Sequence, residues 1–191
     1  MKRFNPFPSV AILLLISGIL VMAANRGDTQ ESADQGIGSS GVGKLKMPES
    51  LRLRHEAFKA QFVRATKDRG KVGEAAREIE QLANAHFAKA KDVFPALGFL
   101  PQLADGKVTP QMADAGKIAD NLRTSLPQIR REHRALVAGL KKIAEAARQE
   151  GKIEYQHFAE RLIWHIQEEE EVLYPTVLLV DEVVKPKLEH K

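Results

Sequence analysis

Cysteine is absent from all 191 residues, which excludes disulfides, thiolate metal ligands and a lipidated cysteine, so any fold rests on its core alone. Aromatic residues are scarce at 6%, while hydrophobic residues make up 43% and charged residues 28%. That balance belongs to a globular chain, and the abundance of Ala, Leu, Glu, Lys and Arg leans towards helix. Strand patterning is missing, as are a glycine-rich phosphate loop and a Ser or Cys nucleophile motif, which leaves hydrolases and nucleotide enzymes without support. Nor is charge of one sign in large excess. The formal net charge of +4 falls to +2 without Lys2 and Arg3 (29 minus 2, against 25), and so small a surplus gives no case for nucleic acid.

Lys2 and Arg3 precede the apolar run VAILLLISGILVMAA, which ends in small residues. Residues 1–24 therefore read as a secretory signal, cut after Ala23 or Ala24, or as an uncleaved signal anchor. The run is about 15 residues long, short of the roughly 20 that span a bilayer comfortably. The expected location is periplasmic or otherwise extracytoplasmic, with membrane attachment only if the segment is retained. Residues 25–48, rich in Gly, Ser and polar side chains, read as a flexible tether, and residues 49–191 as the folded domain.

Within that domain Leu51, His55, Phe58 and Phe62 recur at spacings of 4, 3 and 4, one face of a helix that closes near Gly70. A second helix is expected from about Gly73 to Pro95, carrying Ile79, Leu82, His86, Ala90 and Val93. A loop follows at GFLPQLADGKVTP, then a short amphipathic piece near 111–123. Ser125 and Pro127 look like a fresh helix start, because proline is tolerated in a first turn and disruptive later. This third helix runs to about 149, turns at QEGK, and leads into a fourth that kinks or stops at Pro175. Long helices joined by short turns and one longer crossover imply an all-α fold, an antiparallel up-down-up-down four-helix bundle.

His55, His86, His133 and His165 sit one per helix on the apolar stripe, whereas His157 and His190 do not. Measured from the shared turns, the four lie about 13 to 15 residues along their helices, roughly 20 to 22 Å from one end of the bundle. They form a single layer. Each inward imidazole carries a donor and an acceptor that need partners, and a bound metal satisfies all four at once, which favours a metal over a purely hydrogen-bonded layer. Glu169 follows His165 by four residues, about 40° round the same face, and should look at that metal. Glu168 lies on the flank, and Glu170, rotated by about 140°, should point away. The chain also repeats itself: the separations 55 to 86 and 133 to 165 are nearly equal, and HFAKAKDVFPAL echoes HIQEEEEVLYPTVL.

In the stretches LRHEAF, AHFAKAKDVFPAL, REHRAL and HIQEEEEVLYP the chain resembles the hemerythrin-like, HHE cation-binding family, over roughly residues 48 to 180. The resemblance implies a non-haem iron centre inside the bundle, of one or two ions, with His55, His86, His133, His165 and Glu169 as ligands. Zn or Mn would also suit such nitrogen and oxygen donors. It further implies binding or sensing of O2, NO or peroxide, or repair of iron centres, with a small diatomic molecule as the partner. Two departures stand out. Ala90 occupies the place of the family's second-helix glutamate, with Asp92 off the stripe, and Val137 stands where oxygen-carrying hemerythrins have a further histidine. With one bridging carboxylate missing, fewer than two tightly held metals are expected. Ala90 speaks for a structural bundle with a degenerate site, while the histidine layer and Glu169 speak for a working metal protein.

Overall fold

A computed structural model describes residues 46–189. The signal segment at 1–24, the tether up to residue 45 and His190 lie outside the described residues. Among the described residues all regular structure is helical, and no helix is long and apolar enough to cross a membrane.

Helix α1 (Glu49–Thr66) opens on the carbonyl of Pro48, which accepts hydrogen bonds from the amides of Leu51 and Arg52. Its buried face is Leu51, His55, Phe58, Phe62 and Ala65, the stripe that the spacing predicts. Met47, assigned to the tether by composition, packs against the core.

The second helical run differs from the single helix expected. It begins earlier, as α2 (Lys71–Glu78), because the Glu150 carboxylate accepts the Lys71 amide at 2.7 Å and so fills the N-terminal cap from another helix. It is then offset at Ile79 (φ −112°, ψ 11°) before α3 (Glu80–Val93) continues. The offset falls where Ile79 meets Gly139 so closely that a Cβ there would lie 2.3 Å from Ile79 Cγ2.

The stretch expected to be a loop is mostly helical turns: a 3₁₀ turn (Phe94–Phe99), α4 (Leu100–Ala104) and a second 3₁₀ turn (Pro110–Ala113). From there α5 (Asp114–Glu150) runs unbroken for 37 residues with Pro127 inside it, where a helix start was expected. Proline removes the N–H that the Arg123 carbonyl would accept. The Thr124 and Ser125 hydroxyls turn back on the Asp120 and Asn121 carbonyls at 3.0 and 2.7 Å. Leu122 and Ile129 are buried on either side of the proline, and Arg123 pairs with Asp181 at 3.0 Å, so packing overrides the local preference.

Gly151, at φ 68°, ends α5 in the left-handed conformation that suits glycine, and α6 (Ile153–Glu168) follows at once. A π turn (Glu169–Leu173) joins it to α7 (Tyr174–Glu189). The core falls into two apolar clusters. One gathers Phe58, Phe62, Leu136, Leu140, Phe158 and Leu162; the other gathers Leu51, Phe94, Met112, Ile129, Tyr174 and Val177. Along α1, α3 and α5 the histidine sits between a residue of one cluster and a residue of the other, so the polar layer is walled above and below by hydrocarbon.

A chain starting at Lys46 should unfold cooperatively in urea, and one starting at Ser50 should be less stable by about 1–2 kcal/mol, having lost the Met47 packing and the Pro48 acceptor. Equal midpoints for the two would show that these contacts add nothing.

Candidate metal centre

The helices bring His55, His86, His133 and His165 together, because their ends at the shared turns lie within a few residues of the expected ones even though α5 starts well before the expected position. All four are buried, at 7%, 6%, 3% and 2% exposure, and Glu169 has no exposed surface at all. Ring centroids lie 4.6 Å apart for His55 and His165, 5.2 Å for His86 and His133, and 6.3 Å for His55 and His86. His55, His86 and Glu169 each present a ligating atom within 4.8 Å of the others, a group that can hold a metal ion. His157, expected to stay out, is exposed.

Hydrogen bonds on the outer side of the layer determine what the inner side offers. His55 Nδ1 donates to the Leu51 carbonyl at 2.9 Å, His133 Nδ1 to Glu170 at 2.9 Å, and His165 Nδ1 to Glu168 at 3.3 Å. A neutral imidazole has one N–H, so each of these three rings turns a bare Nε2 inward. Those lone pairs meet a carboxylate: His55 Nε2 is 3.0 Å and His165 Nε2 3.3 Å from Glu169 Oε1, and His133 Nε2 is 3.4 Å from Oε2. His86 Nε2 is buried with no hydrogen-bond partner. The interior therefore holds an excess of acceptors over donors. A cation would resolve it, and an outer acceptor on the far ring nitrogen is the usual companion of a metal-bound histidine.

Glu170 does not point away as expected. It wraps round the flank to accept the proton of His133 Nδ1, with about a third of its side chain exposed. Glu168 stays on the flank, paired with Arg54. The displacement begins with the π turn, where the Tyr174 amide donates to the Glu169 carbonyl, five residues back rather than four. Pro175 explains its place: a proline ring crowds the carbonyl four residues earlier, and a wider turn makes room.

That turn also delivers a residue that the sequence pattern left unassigned. Tyr174, five residues after Glu169, places its hydroxyl 3.3 Å from Glu169 Oε2 and 3.5 Å from His133 Nε2. Its ring stacks on Phe94 at 5.5 Å and on His133 at 5.9 Å. The signal was present in the repeat: His86 to Pro95 is nine residues and His165 to Pro175 is ten, and the extra residue is accommodated by the π turn. Ala90 is buried in the apolar cluster that also holds Phe94 and Tyr174, and Asp92 is exposed, so neither supplies a second inner carboxylate.

Burial disfavours the charged form of His86, Glu169 and Tyr174. It pushes His86 down to about 4 from an ordinary 6.5, opposed by the Glu169 charge and reinforced by the neighbouring imidazoles. Burial and then the Glu169 charge push the Tyr174 phenol up. A groove of about 480 Å³ between α5 and α6 is lined by His133, Val137, Lys141 and Glu170 among others. Comparison with protein-family models, with curated proteins and with solved structures returned no match.

The unfolded chain protonates His86 near 6.5 and the folded metal-free chain only near 4. Stability from this residue is thus complete above about 6.5 and falls by about 3 kcal/mol as pH drops towards 4. Urea unfolding of the metal-free chain at pH 7.5, 6, 5 and 4 should show the decline, and His86→Gln should flatten it. An unchanged slope in the variant would mean that another group carries it.

Proposed function

We propose that the chain is an exported metal-binding protein of the hemerythrin type, an antiparallel up-down-up-down four-helix bundle. In this reading His55, His86, His133, His165 and Glu169 hold non-haem iron for the binding or sensing of O2, NO or peroxide. The observation that carries it is the convergence of three bare imidazole nitrogens and a fully buried carboxylate, which leaves a cluster of lone pairs with too few protons to share. The spacing supports it too. His55 Nε2, His165 Nε2 and Glu169 Oε1 are 3.0 to 3.3 Å apart, near the separation of donors around a cation with bonds of about 2.0 Å. Nitrogen and carboxylate donors suit iron, with Zn and Mn as the other candidates. Iron held by these residues would supply the chemistry for binding a small diatomic ligand. The short turns after α1 and α5 support the bundle, since they make consecutive helices antiparallel neighbours.

A structural bundle without a working centre is favoured by one observation, the apolar surroundings of Ala90. Elemental analysis of the purified chain decides between the two readings. Bound iron, or Zn or Mn, is expected, and His86→Ala or His165→Ala should lose most of it, whereas His157→Ala should not. Acidification should release the metal only as pH falls to about 4, where His86 takes up a proton even in the folded chain, because imidazole binds only when neutral. Equal losses in all three variants would remove the centre from this layer.

A further inference from the structure

Glu169 divides the four histidines into two pairs. Its Oε1 faces His55 Nε2 at 3.0 Å and His165 Nε2 at 3.3 Å, and those two nitrogens are 3.1 Å apart. Its Oε2 faces the other pair, His133 Nε2 at 3.4 Å and His86 Nδ1 at 3.8 Å. On this second side there is one more oxygen. Tyr174 Oη lies 3.3 Å from Oε2 and 3.5 Å from His133 Nε2. Four donors set tetrahedrally at about 2.0–2.2 Å from a cation are about 3.3–3.6 Å from one another. The three atoms from Glu169, His133 and Tyr174 already have that spacing, and His86 stands slightly outside it.

We propose that Tyr174 is a metal ligand. With His86, His133 and Glu169 Oε2 its phenol oxygen forms a second cation position in the layer, in the place of the carboxylate that Ala90 cannot provide. The assignment rests on the metal-binding function proposed above and adds a residue to it. Three further features support it. His133 Nδ1–H is committed to Glu170, so Nε2 is bare, and His86 Nε2 is buried and unpartnered. The Tyr174 hydroxyl can donate to only one of these acceptors, and the single N–H of a neutral His86 finds no hydrogen-bond partner at Nε2 and is 3.8 Å from Glu169 Oε2 at Nδ1. A cavity of about 10 Å³, bounded by His86, His133 and Tyr174 among others, opens on this side of the layer.

The phenol is also held in place. Phe94 and His133 stack on its ring, and the π turn fixes its height, so no rotation of the side chain is needed to reach the position. When the oxygen binds, a lone pair makes the bond to the cation and the hydroxyl proton passes to solvent. A neighbouring cation reverses the effect of burial on such a group.

The chain has two tyrosines, so a phenolate signal can be traced by substitution. The full chain, loaded with iron and brought to the ferric state, should show a visible phenolate-to-iron charge-transfer absorption and phenolate vibrations in its resonance Raman spectrum. Tyr174→Phe, which keeps the stacked ring, should abolish both and remove the metal held on that side, with the helical circular dichroism unchanged. Tyr155→Phe should leave both signals intact. Bound iron without a phenolate signal, or a signal that survives Tyr174→Phe, overturns the Tyr174 assignment and leaves the metal-binding function standing. Absence of iron, Zn and Mn from the unmodified chain overturns both.

Discussion

A carboxylate without exposed surface, set between two hydrocarbon clusters, is tolerable only if positive charge or N–H donors face it. Glu169 is in that position, and the nitrogens around it have mostly been turned the wrong way, because Leu51, Glu168 and Glu170 hold their protons on the outer side of the rings. The apolar walls sharpen the conflict. Phe58, Leu136 and Leu162 on one side and Phe94, Ile129 and Val177 on the other keep water from sharing the charge. The placing of the Tyr174 hydroxyl as a donor to this carboxylate follows from that demand, while the same burial lowers the pKa of His86 against the pull of the Glu169 charge.

The histidine layer was legible because a helix of constant rise converts residue number into height, and small errors in the helix ends shift a layer by only a few ångströms. Glu169 was legible for the same reason, as the residue one turn beyond His165. Tyr174 and Glu170 were not, because a count of 100° per residue fails at a π turn. Pro127 misled for a different reason: local chemistry marks it as a helix start, and only the burial of Leu122 and Ile129 with the Arg123 pairing to α7 shows why the helix continues. The offset at Ile79 depends on Gly139, sixty residues away, a contact that no local pattern contains.

The two halves of the chain treat the same motif in opposite ways. After His86 the helix tightens into a 3₁₀ turn at Phe94–Phe99, and after His165 it widens into the π turn at Glu169–Leu173. Each half puts an aromatic residue before its proline, and those rings, Phe94 and Tyr174, stack with an interplanar angle of 12°. The pairing is symmetric in shape and unequal in chemistry, since only one ring carries a hydroxyl.

The Glu150 carboxylate on the Lys71 amide has a consequence for the order in which the chain assembles. Helix α2 has eight residues, too few to be stable alone in water, and its N-terminal cap comes from a residue 79 positions later. Its first turn is therefore completed only after the far end of α5 has arrived. Such a long-range dependence ties α2 to the rest of the domain, so it should appear late on the folding route and disappear early on the way out, with amide exchange in α2 reporting on the seating of α5.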